Sequence, residues 1–127
     1  MIYYSRNFLV PGLLVLIAVY DIFGQDRDVS QYAFTIDGRE RIYYLYIPEN
    51  ISDKAPLVFV FHGYGGDARS MIEYSRMNPV ADENGFAVCY PQGVFGEDEK
   101  NSWNAGYSNP DVDDVKFIRA LARYLQN

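Results

Sequence analysis

The sequence predicts an α/β fold, and three observations carry that reading. A hairpin-type Asp37-Gly38 pair separates two β-prone runs. Two apolar runs, 57–61 and 86–90, show no alternation, as expected of strands buried on both faces in a parallel sheet. A helical stretch follows each of them.

The first 24 residues differ from the rest. Arg6 supplies a positive charge, residues 8–20 are mostly apolar, and Asp21 ends the run. This pattern predicts a secretory signal peptide over residues 1–24 and a secreted, extracellular product. Gly24 suits the last position before cleavage, while Ile22 departs from the small residue expected two positions earlier. A retained membrane anchor is the rival. A span needs about 20 apolar residues, and this run is shorter and contains Pro11 and Gly12. No stable membrane span is expected once the leader is removed.

Residues 31–47 read as a β-hairpin. Residues 32–36 form one arm, Asp37-Gly38 the turn, and residues 41–47 the other arm, closed by Pro48. The strand 57–61 follows and runs straight into His62-Gly63-Tyr64-Gly65-Gly66. Asp67 or Ser70 caps a helix that continues toward Asn84, with Pro79 breaking or restarting it and Gly85 as its C-cap. The strand 86–90 stops at Pro91. Residues 92–110 lack periodicity and are rich in Gly, Asn and Asp, so a long loop is predicted there. The last helix covers residues 111–127, with Val115, Ile118, Ala122 and Leu125 recurring at helical spacing. Asp111, Asp113 and Asp114 crowd its positive end.

Composition narrows the function. A net charge of -6 with no Lys/Arg run excludes nucleic acid as a partner. The hydrophobic share of 49% is enough to build a core, which excludes wholesale disorder. Cys89 is the only cysteine. It is read as a small core residue, with pairing to a cysteine outside this sequence as the alternative.

The glycine-rich turn after the strand 57–61 is the strongest chemical signal. Acyl transfer needs fixed N–H donors aimed at the developing oxyanion, and glycines let a backbone curl to present them. The donor would be the Tyr64 N–H, with Gly63 allowing close approach; a turn that needs glycine for geometry alone is the alternative. The motif lacks the Gly-Lys-Ser/Thr of a phosphate loop, so nucleotide binding is not expected. His62 is the only histidine, and it precedes any plausible nucleophile strand, so a structural role is expected for it. No serine satisfies G-x-S-x-G; Ser108 comes closest, but no strand leads into it and Pro110 follows. Trp103 is read either as a lid over a core edge or as a substrate platform, and both stay open here. Asp113 and Asp114 are expected to cap the last helix rather than bind metal, and no cofactor is expected.

Several blocks together resemble secreted polyhydroxybutyrate depolymerase-like and feruloyl/acetylxylan esterases. They are Tyr43-Tyr44-Leu45-Tyr46-Ile47-Pro48, the run from Pro56 through His62-Gly63-Tyr64-Gly65-Gly66, the run from Ala81 to Pro91-Gln92-Gly93, Trp103-Asn104-Ala105-Gly106, and Val112-Asp113-Asp114-Val115-Lys116-Phe117-Ile118. The resemblance covers about residues 38–125. It implies the N-terminal part of an α/β-hydrolase sheet, a hairpin followed by parallel strands with flanking helices, stopping before the nucleophile elbow. Residues 25–127 would be the first part of the esterase domain. The implied activity is Ser-His-Asp ester hydrolysis through an acyl-enzyme, on a polyester or plant cell-wall ester. His62, Gly63 and Tyr64 fall on the oxyanion loop, and Trp103 and Asn104 on a substrate-binding loop. The catalytic nucleophile, acid and base are expected beyond Asn127, so residues 1–127 alone are expected to be inactive. A serine peptidase of the same fold, or a non-catalytic α/β binding fragment, is the alternative.

Overall fold

The computed structural model describes residues 29–104 and 111–126. The predicted leader, residues 1–24, and Ser108 lie outside the described residues. Nine elements follow in order: β1 (Ser30–Ile36), β2 (Arg39–Tyr46), β3 (Leu57–Phe59), α1 (Ala68–Ser75), α2 (Met77–Asn84), β4 (Ala87–Pro91), β5 (Val94–Phe95), β6 (Asn101–Ser102) and α3 (Asp114–Leu125). The fold is mixed α/β, as the sequence predicts.

The hairpin forms where expected. Asp37 (φ 52°) and Gly38 (φ 72°) both adopt left-handed backbone, which matches the twist of the strands they join. Ile36 then pairs with Arg39 and Tyr32 with Tyr43, whose rings stack at 5.4 Å. The four-stranded sheet has the order β1-β2-β4-β3, with β2 antiparallel and β3 parallel to β4.

Strand periodicity divides the core into two layers. Tyr46, Val88 and Tyr90 face α1 and α2, packing on Ala68, Ile72 and Ala81. Tyr43 and Cys89 face the other way, onto Phe117 and Leu121 of α3. Each helix layer covers one face of the sheet. Phe117 and Leu121 are fully buried, and burial of such side chains contributes about 1.5–3 kcal/mol each.

Four expectations need correction. The strand 57–61 is not buried on both faces: β3 is half-buried and shorter, and Phe61 is 44% exposed. Only β4 pairs with it among the described residues, and β3 ends the sheet that these residues form. By contrast β4, held between β2 and β3, is buried as predicted. The helical stretch breaks at Arg76, in left-handed backbone, rather than at Pro79. Pro79 sits in the first turn of α2, where its missing N–H removes no helical bond. Gly85 does cap α2, its N–H donating to the Ala81 carbonyl at 2.8 Å. The loop expected over 92–110 contains a small hairpin, in which Val94 pairs with Ser102 and Phe95 with Asn101. Finally, α3 is rotated from the expected face: Ile118 and Leu125 pack against the core from its margin rather than at its centre. Asp114, Phe117 and Leu121 are buried, whereas Val115 is 61% exposed. The rotation is set by Arg41, which draws the Asp114 carboxylate into the interior at 2.7 Å.

Candidate active site

The parallel pairing of β3 carries on to Val60, whose N–H donates to the Cys89 carbonyl at 2.9 Å. The chain then leaves the sheet at His62, which is 3% exposed and uses both ring nitrogens. The Gly93 backbone N–H donates to Nε2 at 2.9 Å. A backbone N–H only donates, so Nε2 carries the lone pair and Nδ1 carries the proton. That Nδ1–H donates to the Gly63 carbonyl at 2.7 Å. The Gly66 N–H reaches the same oxygen at 3.0 Å.

Two donors on one carbonyl fix a peptide plane. No cis peptide is present among the described residues. In a trans peptide the C=O and N–H point in opposite directions. With the Gly63 oxygen turned toward the His62 ring, the Tyr64 N–H turns away from it. Among the described residues, this N–H donates to no other group. The next two N–H groups are committed, Gly65 to the Asn101 carbonyl at 2.9 Å and Gly66 to Gly63.

The small hairpin holds the loop from outside. The Asn101 side-chain amide donates to the Gly66 carbonyl at 2.9 Å, so Asn101 grips the loop by both a carbonyl and an amide. The Tyr64 side chain lies over the hairpin, where its hydroxyl donates to Asp98 and Lys100 Nζ sits 5.1 Å from its ring centroid. The hydrogen bond to Asp98 raises the Tyr64 phenol, and the same bond lowers the Asp98 carboxyl. Asp67 caps α1 by accepting the Ser70 N–H at 2.8 Å, and this bond lowers its carboxyl.

Trp103 closes the inner side. Its Nε1–H donates to the His62 carbonyl at 2.9 Å, and its ring meets Phe61 edge-on at 5.3 Å. Asn104 is tied twice, by its N–H to Asp114 at 2.6 Å and by its side-chain amide to the Val112 carbonyl at 2.7 Å. Asp114 thus joins Asn104 to Arg41, whose guanidinium lies 4.0 Å from the Phe117 ring centroid. Asp113 caps α3 through the Lys116 N–H. A cleft of about 460 Å³ opens beside this loop, lined in part by Phe61, Trp103, Val115 and Ile118.

All five residues expected at the site therefore fall in one region. His62, Gly63 and Tyr64 form the loop, Trp103 bonds it directly, and Asn104 adjoins Trp103. Cys89 is fully buried, in the core layer against which Trp103 packs. Sequence reasoning gave no role to Gln92, Gly93 and Asn101, which hold the loop in place. The one signal for them was Gly93, a glycine just after a strand-ending proline. Among the described residues no three His, Cys, Asp or Glu side chains cluster to hold a metal ion. No described helix is long and apolar enough to cross a membrane.

The Esterase PHB depolymerase family matches residues 41–111, a span that includes the loop, the small hairpin and Trp103-Asn104. This chain belongs to that family. Relatives of this PHB depolymerase-family chain include the NocK esterase of Nocardia uniformis subsp. tsuyamanensis, 35% identical over 104 residues, covering 76% of this chain and 29% of the relative. Feruloyl esterase B of Thermothelomyces thermophilus is 29% identical over 69 residues, covering 54% and 22%. The bifunctional acetylxylan esterase/xylanase XynS20E of Neocallimastix patriciarum is 32% identical over 59 residues, covering 46% and 9%. The chain thus spans less than a third of the length of these curated relatives. In fold, it resembles the crystal structure of native pOPH, with a TM-score of 0.52 at 18% identity, over 78% of this chain and 38% of that one.

Proposed function

We propose that this chain forms the oxyanion-stabilising part of a secreted carboxylic ester hydrolase working through a Ser-His-Asp acyl-enzyme. The observation that carries the reading is the Gly63–Tyr64 peptide, held by two donors on its oxygen with its N–H uncommitted among the described residues. A donor fixed before the reaction costs no reorganisation when charge develops on the substrate carbonyl oxygen. The esterase names of the relatives favour an ester over a peptide and suggest feruloyl or acetyl esters as substrates, to which the family's description adds a polyester.

In this reading the serine, acid and base lie outside residues 1–127. His62 is not the base, because both of its ring nitrogens are engaged, Nδ1 by the Gly63 carbonyl and Nε2 by the Gly93 N–H. The serine attacks the ester carbonyl, and the Tyr64 N–H receives the resulting oxyanion. Trp103 flanks the acyl group with its apolar ring, and Asn104 shapes the same loop through Asp114 and Val112. Residues 1–24 direct export and are removed, an assignment tested by N-terminal sequencing of the secreted product.

The decisive experiment replaces the Tyr64 N–H by an ester oxygen in the full-length protein, using the α-hydroxy acid analogue of tyrosine. The side chain stays, the donor is lost, and the Gly63 carbonyl, now an ester carbonyl, accepts more weakly from His62 and Gly66. The expected result is a fall in kcat of about 10²–10³-fold, with stoichiometric labelling of a serine by a fluorophosphonate retained. An unchanged kcat would remove Tyr64 from the oxyanion site.

A further inference from the structure

We propose that Gln92 is a positioning residue for the oxyanion peptide, acting through the imidazole of His62. The proposal rests on the function proposed above. Gln92 stands just beyond β4 and is anchored there by its backbone. Its N–H donates to the Ile42 carbonyl at 2.9 Å, and its carbonyl accepts from Arg41 at 3.1 Å. Its side chain therefore projects from a fixed base.

The two ends of the Gln92 amide are distinguishable by their partners. The N–H of Ala68, the first residue of α1, points at Oε1 at 2.8 Å. A backbone N–H requires an acceptor, so this end is the oxygen. The Nε2 end then faces His62 Nε2 at 3.1 Å and the Gly93 carbonyl at 3.2 Å. One amide hydrogen serves each.

His62 Nε2 thus meets two donors, Gln92 and the Gly93 N–H, and has to be unprotonated. The ring proton is left on Nδ1, where it serves the Gly63 oxygen. The chemistry at position 92 helps decide which side of His62 donates. It bears, one step further, on the peptide that presents the Tyr64 N–H.

Two substitutions separate this role from support of the fold. Gln92→Glu keeps an oxygen for the Ala68 N–H but turns the other arm from donor to acceptor. It draws a proton to Nε2, which then meets the Gly93 N–H donor against donor and loses that anchor of the ring. Gln92→Met loses the α1 bond as well, yet leaves the Gly93 N–H on Nε2 and the tautomer intact. A purely structural role makes Met the worse variant; a positioning role makes Glu the worse one.

The test uses the full-length protein with ¹⁵N-labelled histidine, the His62 signals being assigned by their loss in His62→Gln. The wild type is expected to show a protonated Nδ1 and a bare Nε2. In Gln92→Glu Nε2 should become protonated, and kcat should fall roughly tenfold with KM nearly unchanged, less than for outright removal of an oxyanion donor. Gln92→Met should keep the tautomer and lose only about threefold in kcat, despite the lower melting temperature. An unprotonated Nε2 in Gln92→Glu, or a kcat order that follows melting temperature, overturns the inference alone. A wild-type protein without esterase activity overturns the proposed function, and this inference with it.

Discussion

The indole N–H of Trp103 donates to the carbonyl of His62 at 2.9 Å, while the two rings lie 5.1 Å apart, tilted by 34°. Trp103 therefore supports the strand end from which the loop at residues 62–66 departs. Trp103→Phe keeps a ring but removes the donor, at a cost of about 1–3 kcal/mol for the unpaired carbonyl. In the full-length protein it is expected to lower kcat/KM equally on acetyl and feruloyl esters. Trp103→Ala is expected to add a selective loss on the feruloyl ester, because the ring surface is gone as well. Identical profiles for Phe and Ala would limit Trp103 to bracing.

Asp114 and Lys116 sit two residues apart on α3 and have opposite environments. The Arg41–Asp114 side chains are 4% and 10% exposed, whereas the Lys116–Asp37 pair is 54% and 60% exposed. Asp114→Ala leaves a buried guanidinium unpaired and is expected to cost about 3–5 kcal/mol. Lys116→Ala is expected to cost about 0–1 kcal/mol. Urea unfolding of both variants checks the contrast; equal losses would refute it.

Gly93 and Gly63 should respond to alanine in different ways. A Cβ on Gly93 would lie 2.6 Å from the Ser102 carbonyl oxygen and 3.0 Å from the His62 ring. Gly93→Ala is expected to lose about 1–3 kcal/mol of stability, and activity with it. A Cβ on Gly63 meets nothing within 4 Å. Gly63→Ala should keep its melting temperature and lose ester hydrolysis, since the added methyl occupies space next to the donor. A fully active Gly63→Ala would place the substrate elsewhere.

Burial pushes the Cys89 thiol up from an ordinary 9.0 to about 12. The folded protein keeps the thiol protonated where the unfolded chain ionises it. This contribution to stability is complete below pH 9 and is lost as pH rises toward 12. At pH 8 Cys89 should resist a thiol-specific disulfide reagent until denaturant is added. Fast labelling of the native protein would contradict its burial.

Local signals made much of the fold legible, and long-range partners hid the rest. Asp37-Gly38 and Gly85 need no tertiary context, because left-handed backbone is written in the residue itself. The strand 86–90 was legible as buried for the same reason, an unbroken apolar run. The stripe of α3 was not. Val115, Ile118, Ala122 and Leu125 satisfy helical spacing, but so do Asp114, Phe117 and Leu121. Polarity argues against the second set until Arg41, 73 residues earlier, supplies the counter-charge. The residues of the candidate site were legible from the glycine-rich turn and the resemblance together. Their support was not, since Gln92 and Asn101 look like ordinary loop residues until the chain brings them back to His62 and Gly66.

The loop at residues 62–66 also has a history set by chain order. It is polymerised first, yet the groups that hold it come later: Gly93, then Asn101, then Trp103, which bonds His62 across 41 positions. At about 5–20 residues per second, roughly 2–8 s separate His62 from Trp103 on the ribosome. During that interval the turn lacks its bond to Trp103. The loop geometry is therefore complete only once residue 103 has been added, and a pause before that point leaves the loop waiting for its last support.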